Sequence, residues 1–301
     1  MRLGHSFAPT ARERLGERRW LRLKLLAGRG PAPGPRGLRE LPHRGRALGW
    51  VRALPRQFRP IDLTDWAAHF RTDKWGGHWY TPHYERHLVH LRRERFTLLE
   101  IGIGGYDVPG SGGESLRMWK HFFPRAQIVG VDIDDKSFLA QDRIRVYHGS
   151  QTDDALMRRI VAEAERLMVV IDDGSHQPAH VRQTFATVFP LLPNGAIYVI
   201  EDLQTSYWPN WGGSLDRADP ATSMALVKDL IDGLNAEEFI DGGSAVTPFD
   251  GSVRAVHCYH NLVFIEKGDN REGHLREAAA LRMTAAGGVD LDADPGSVRS
   301  A

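Results

Sequence analysis

The chain has 301 residues, 42% hydrophobic and 26% charged, enough to bury one large core or two small ones and unlike a wholly disordered or fibrous chain. No stretch approaches the roughly 20 uninterrupted apolar residues of a membrane-spanning helix, and the opening residues lack the apolar run of a secretory signal, so a soluble cytoplasmic protein with no membrane partner is expected. The formal net charge of +1 conceals an asymmetry: residues 1–60 carry 15 Lys and Arg against 3 Asp and Glu, a net +12, and the remainder carries −11.

Residues 1–60 read as a basic arm rich in Arg, Gly and Pro, largely disordered and solvated. Such an arm can steer nucleic acid or an acidic partner. The acidic body behind it repels a phosphate backbone, so nucleic acid is disfavoured as a partner. The single cysteine, Cys258, excludes an internal disulfide and a cysteine-rich zinc module. Its strand-like neighbours predict a buried, inert thiol.

From Ile61 the pattern becomes that of a folded domain, expected over 61–283, with a flexible tail at 284–301. The runs Thr97 to Gly105, Ala126 to Asp134, Arg166 to Gly174 and Ala196 to Leu203 are aliphatic without alternation and reach glycines or acids, as buried parallel strands do. Between them lie segments of helical period. Leu116, Trp119 and Phe123 share one face, closed by Pro124; Val181, Phe185, Val188 and Phe189 share another, with Pro178 suited to the first turn. The alternation predicts an α/β fold with a doubly wound, mainly parallel sheet. Arg254 to Gly268 adds two strands meeting at His260-Asn261, an antiparallel C-terminal edge.

Ligands of an open parallel sheet bind beyond the carboxyl ends of its strands, so the strand-terminating residues are the candidates for chemistry. The first strand ends in Glu100, Gly102, Gly104 and Gly105. The third glycine of a dinucleotide fingerprint is displaced, which disfavours a nicotinamide cofactor. This E-x-G-x-G-G form resembles the first motif of class I S-adenosylmethionine-dependent methyltransferases. Asp132, ending the second strand, then matches the ribose-binding acid, and a carboxylate suits that task because it can accept two hydroxyl hydrogen bonds. Gln151, after the third strand, falls where adenine is contacted, and Asp172 completes the donor-binding set.

Farther along stand Asp172, Asp173 and His176, then Glu201 and Asp202. So many acids at adjacent strand ends repel one another unless a cation or a proton intervenes. Carboxylate ligands select a hard ion that keeps waters, magnesium before zinc. His176 follows a Gly-Ser bend that can turn its ring toward the same cleft, and an imidazole titrating near 6.5 can accept a proton at neutral pH. Its spacing to His180 resembles a zinc pair, but Pro178 between them argues against a shared helical face. Tyr207, Trp208 and Trp211 read either as walls of a ligand pocket or as core, and stay outside the catalytic set.

Thr72 to Trp75, Trp79 to Tyr84, LLEIGIGGYD from Leu98, GGESLRMWK from Gly112, VIDDGSH from Val170, YVIEDLQTSYWP from Tyr198 and YHNLVFIEKG from Tyr259 together resemble the magnesium- and S-adenosylmethionine-dependent sugar O-methyltransferases of antibiotic biosynthesis. The likeness spans about Asp62 to Gly268. It implies Mg2+ held by Asp173, Glu201 and Asp202, with His176 as general base. Glu100 and Asp132 bind the methyl donor on this reading, with Tyr80 and Thr81 near it, and the acceptor is the sugar hydroxyl of a glycosylated natural product. A homo-oligomer stays open. Macrolide members of the family carry a large domain ahead of the catalytic one, so contacts made by that domain are not carried over. Two rivals remain: a catechol or phenol O-methyltransferase, and a nucleic-acid-binding methyltransferase using the basic arm.

Overall fold

The computed structural model describes residues 61–106, 108–239, 245–271 and 273. The basic arm (1–60), the domain end expected at 283 and the tail (284–301) lie outside the described residues. The chain divides into two compact units, one holding residues 61–94 with 113–124 and the other 95–112 with the chain from 125 onward.

The first unit is helical. Helix α1 (Leu63–Phe70) opens on a capping box: Asp65 N–H donates to Asp62 Oδ1 at 2.8 Å, and Asp62 N–H returns a bond to Asp65 Oδ2 at 3.3 Å. Arg71, at φ 61°, ends it in a left-handed cap. Helix α2 (Thr81–Leu88) starts with a proline in its first turn, and α3 (Glu114–Phe122) follows as expected from its apolar face. Tyr84 of α2 meets Trp119 of α3 edge to face at 5.0 Å, and the Arg92 guanidinium lies 4.8 Å over the Phe122 ring. Leu116, Trp119 and Phe123 are all buried.

The second unit is a seven-stranded sheet in the order β3-β2-β1-β4-β5-β7-β6. Its strands are β1 (Thr97–Ile101), β2 (Gln127–Asp132), β3 (Ile144–His148), β4 (Leu167–Asp172), β5 (Ile197–Ile200), β6 (Val253–Tyr259) and β7 (Leu262–Lys267). The first five are parallel; β7 runs antiparallel to β5, and β6 to β7. This is the expected mainly parallel sheet with an antiparallel C-terminal edge. Every residue of β1 and β4 is buried, which is why neither shows polar alternation. The turn between β6 and β7 places Asn261 at φ 60°, a conformation asparagine tolerates better than most side chains.

Helices α4 (Asp154–Glu163), α5 (Pro178–Val188) and α6 (Ser223–Gly233) pack in series, α4 on α5 and α5 on α6. Val181, Phe185, Val188 and Phe189 are buried, and Phe185 stacks on Phe189 and meets Tyr198 of β5 edge to face. Among the described residues no helix is long and apolar enough to cross a membrane.

The expectation of a buried Cys258 is overturned, because the thiol is exposed. Cys258 lies on β6, the outermost strand, where only Val253 is fully buried. Partial desolvation still pushes its thiol pKa up, which keeps it a poor nucleophile.

Candidate functional site

The carboxyl ends of β1 to β5 bring most of the predicted residues to one edge of the sheet. Glu100, one residue before the end of β1, is fully buried. The chain then turns through Gly102 at φ 78°, whose N–H donates to Val131 O at 2.8 Å. A Cβ on Gly102 would meet Asp173 O at 2.2 Å and Gly174 Cα at 2.7 Å, so the glycine is required by the loop after β4 as much as by any ligand. Gly104, at φ 69°, faces open space with no atom within 4 Å of the position a Cβ would take.

Asp132 lies where the ribose-binding acid was expected. Its Oδ2 accepts from Ile103 N–H at 2.9 Å and its Oδ1 from Asp134 N–H at 2.9 Å. One carboxylate thus joins the loop after β1 to the loop after β2, and each oxygen retains acceptor capacity. A residue the sequence reading missed closes this region. Lys136 is buried, with its ammonium donating to Tyr106 O and lying 3.4 Å from Ser111 O, and so it cross-links the glycine-rich loop. Nothing in its local sequence separates it from a surface lysine.

Gln151 was expected to contact the donor. The structure directs its side chain inward, where Oε1 accepts from Ser175 N–H at 2.8 Å and Nε2 donates to Asp172 Oδ1 at 3.2 Å and Thr184 Oγ1 at 3.1 Å. Asp172 is likewise buried, and Tyr198 donates to its Oδ2 at 3.3 Å. Burial raises the Asp172 carboxyl to about 6, against the lowering effects of the His176 charge and of bonds from Gly174, Gln151 and Tyr198. Burial also pushes the Tyr198 hydroxyl well up, reinforced by the facing Asp172 carboxylate. Tyr198 did leave a trace in the sequence: a phenol in an otherwise aliphatic buried strand needs a partner.

Asp173, His176 and Asp202 form the second half of the site. One ligand atom from each lies within 4.8 Å of the other two. His176 Nε2 stands 3.8 Å from Asp173 Oδ1 and 3.6 Å from Asp202 Oδ2, and all three side chains keep partial access to solvent. Helix α5 begins at Pro178, beyond His176, so the two histidines share no helical face; His180 Nδ1 instead meets Ser175 Oγ at 2.9 Å. Glu201 is buried immediately after β5, its N–H bonded to Asp172 O, and its carboxylate does not join the three-residue group.

Thr205 ties the two loops together. Its hydroxyl lies 2.7 Å from His176 O and 3.1 Å from Asp202 O, one proton shared between two carbonyls. The aromatics that follow are exposed, which removes the core reading for them: Tyr207, Trp208 and Trp211 keep 40%, 45% and 38% of their surface. The Trp211 ring centroid lies 6.3 Å from that of His176.

Tyr80 and Thr81 belong to the helical unit. Tyr80 is buried and stacks on His78 at 4.7 Å, and Thr81 is buried with its hydroxyl 2.8 Å from that of Thr64.

The chain is 46% identical over 236 residues to demethylmacrocin O-methyltransferase of Streptomyces fradiae, a match covering 76% of this chain and 60% of the relative. It is 44% identical over 239 residues to mycinamicin VI 2''-O-methyltransferase of Micromonospora griseorubida, covering 77% and 60%. Against the 3'-O-methyltransferase of 8-demethyl-8-(2-methoxy-alpha-L-rhamnosyl)-tetracenomycin C from Streptomyces olivaceus, identity is 46% over 218 residues, covering 71% and 56%. Among solved structures, the MycE methyltransferase of the mycinamycin pathway in complex with Mg, SAH and mycinamycin VI superposes with a TM-score of 0.69 at 44% identity, over 75% of this chain and 60% of that one. No protein-family model matches the chain. The chain therefore spans about 60% of the length of these relatives.

Proposed function

We infer that this chain, whose fold is that of class I S-adenosylmethionine-dependent methyltransferases and whose relatives are sugar O-methyltransferases of antibiotic pathways, moves a methyl group from S-adenosylmethionine to a sugar hydroxyl of a glycoside. The observation that carries the reading is the meeting of His176 with Asp173 and Asp202 at the ends of β4 and β5, on the same sheet edge as the glycine loop and Asp132.

The residues present fit a hard divalent cation. Two partly exposed carboxylates converge there, and oxygen donors with room for water suit magnesium better than zinc. Asp173 and Asp202 would hold the ion, with Glu201, the neighbour of Asp202 in sequence, as the third carboxylate of the set. When bound, the ion supplies Lewis acidity that lowers the pKa of an adjacent hydroxyl.

Asp132, with Glu100 and the turn at Gly102 and Gly104, binds and orients the donor. His176 takes the hydroxyl proton at Nε2, and its ring is held for this by the two flanking carboxylates. The deprotonated oxygen then forms a bond to the methyl carbon as the carbon–sulfur bond breaks, and S-adenosylhomocysteine leaves. Holding oxygen and methyl in line is the main work of such a site, since the donor is already activated by its positive sulfur.

The test is transfer of labelled methyl from S-adenosylmethionine to a panel holding mycinamicin VI, a rhamnosyl tetracenomycin and a simple catechol, with magnesium and again after chelation. Transfer to a glycoside that stops on chelation is expected. Transfer to the catechol alone would overturn the sugar assignment, and full transfer after chelation would overturn the cation.

A further inference from the structure

We propose that Gln151 is a positioning residue that couples the donor half of the cleft to its cation half, so that binding in either half tightens binding in the other. The inference rests on the methyltransferase reading above and adds to it a regulation of the same site.

The backbone around Gln151 belongs to the donor half. Gly149 N–H donates to Asp132 O at 2.8 Å, which pins the loop after β3 to the acid proposed to hold the donor's ribose. The side chain leaves that half altogether. It reaches the N–H of Ser175, which lies between Asp173 and His176, and also braces Asp172 at the end of β4 and Thr184 on α5. Both amide hydrogens are committed, and the residue is 8% exposed.

The joint has no slack. A Cβ on Gly174 would stand 2.3 Å from Gln151 Oε1, so the loop after β4 packs directly on the amide. Thr184 closes the bracket from the helix side, its hydroxyl lying 2.8 Å from His180 O and 3.3 Å from Gln151 O. Movement of the loop after β3 is thus transmitted to Ser175, and with it to Asp173 and His176. Ordering the loop from the donor side removes part of the entropy the cation half must otherwise lose, and linkage makes the effect reciprocal.

The experiment titrates Mg2+ into the full-length protein by calorimetry, with and without saturating S-adenosylhomocysteine. In wild type S-adenosylhomocysteine is expected to tighten the cation by about 5-fold or more, with the same factor in the reverse titration. Gln151→Leu is expected to bind each ligand alone within about 3-fold of wild type and to bring the coupling factor near 1. An unchanged factor in Gln151→Leu overturns the proposal. So does a factor of 1 in wild type when both ligands bind, an outcome that leaves the methyltransferase reading standing. Binding of neither ligand to wild type removes that reading and the coupling together. Should Gln151→Leu fail to fold or to bind either ligand, Thr184→Val decides: it keeps the side-chain shape and deletes one brace, so a reduced factor is expected and an unchanged one overturns the proposal.

Discussion

His176 Nε2 lies 3.6 Å from Asp202 Oδ2, and both residues hold left-handed backbone, at φ 57° and φ 54°. Two such non-glycine residues facing each other are strained, at a cost on the order of 1–3 kcal/mol each. The shared bond from Thr205 holds both loops in place. Strain kept at the ends of two adjacent strands places an imidazole between two carboxylates, an arrangement that packing alone does not require.

Asp173→Asn keeps the side-chain size and removes the charge. Methyl transfer is expected to fall by about 1000-fold or more, while S-adenosylhomocysteine binds within about 3-fold of wild type, because Asp173 faces the proposed cation half. Steady-state turnover alongside calorimetric titration of S-adenosylhomocysteine separates the two effects. Full turnover would remove Asp173 from the reaction.

His176→Ala is expected to lose about 100- to 10,000-fold in turnover, the range for removal of a general base. The loss should shrink as pH rises, since hydroxide can then take over the proton. Turnover measured across pH checks this, and a variant profile parallel to wild type would count against the base role.

Gly102→Ala and Gly104→Ala form a matched pair. Both residues have positive φ, but only Gly102 leaves no space, with Asp173 O 2.2 Å from a Cβ there. Gly104→Ala should lose about 1 kcal/mol from backbone strain, and Gly102→Ala about 3 kcal/mol or more from strain and overlap together. Urea denaturation gives both values. Equal losses would mean that the loop after β4 yields freely.

Acid stability turns on His83. Burial, aided by the charge of Arg86, holds its imidazole down at about 4. The folded pKa lies below the unfolded value of 6.5, so this stability is complete above 6.5 and is lost as pH falls from there toward 4. Asp172 acts in the opposite sense: with its carboxyl raised to about 6, its contribution is present below 3.8 and lost as pH rises through 6. His83→Gln removes one of the two. Its melting temperature should gain a few degrees relative to wild type as pH falls from about 7 to about 4.5. A constant difference across that range would exclude His83 as the source.

The sheet could be read from the sequence because β1, β2, β4 and β5 are buried runs of aliphatic residues ending in glycines and acids, a pattern that local chemistry alone imposes. Their ends carried the candidate residues, so Asp132, Asp173, His176 and Asp202 could be named without coordinates. The direction of a side chain was another matter. Gln151 was assigned to the donor from its place after β3, yet it turns to a backbone N–H 24 residues away, a pairing that only the assembled sheet creates. Lys136 and Thr205 likewise act on carbonyls distant in sequence. Cys258 was misread because its neighbours resemble those of an interior strand, and strand order, which local sequence does not encode, placed it on the rim.

The strand order also divides the labour of the site. The glycine loop and Asp132 follow β1 and β2, whereas Asp173, His176 and Asp202 follow β4 and β5 on the other side of β1. The stretch from Leu203 to Thr222 returns to His176 through a hydroxyl and one exposed indole, and its two ends are anchored by Leu203 N–H to Asn261 O, Met224 N–H to Ser206 Oγ and Arg182 to Thr222 O, while its middle, from Tyr207 to Leu215, is largely exposed. That exposed middle can be rewritten by mutation while the anchored ends, the sheet and its glycine loop stay as they are. Change on that face is therefore a local problem for this architecture, open to selection without renegotiating the fold.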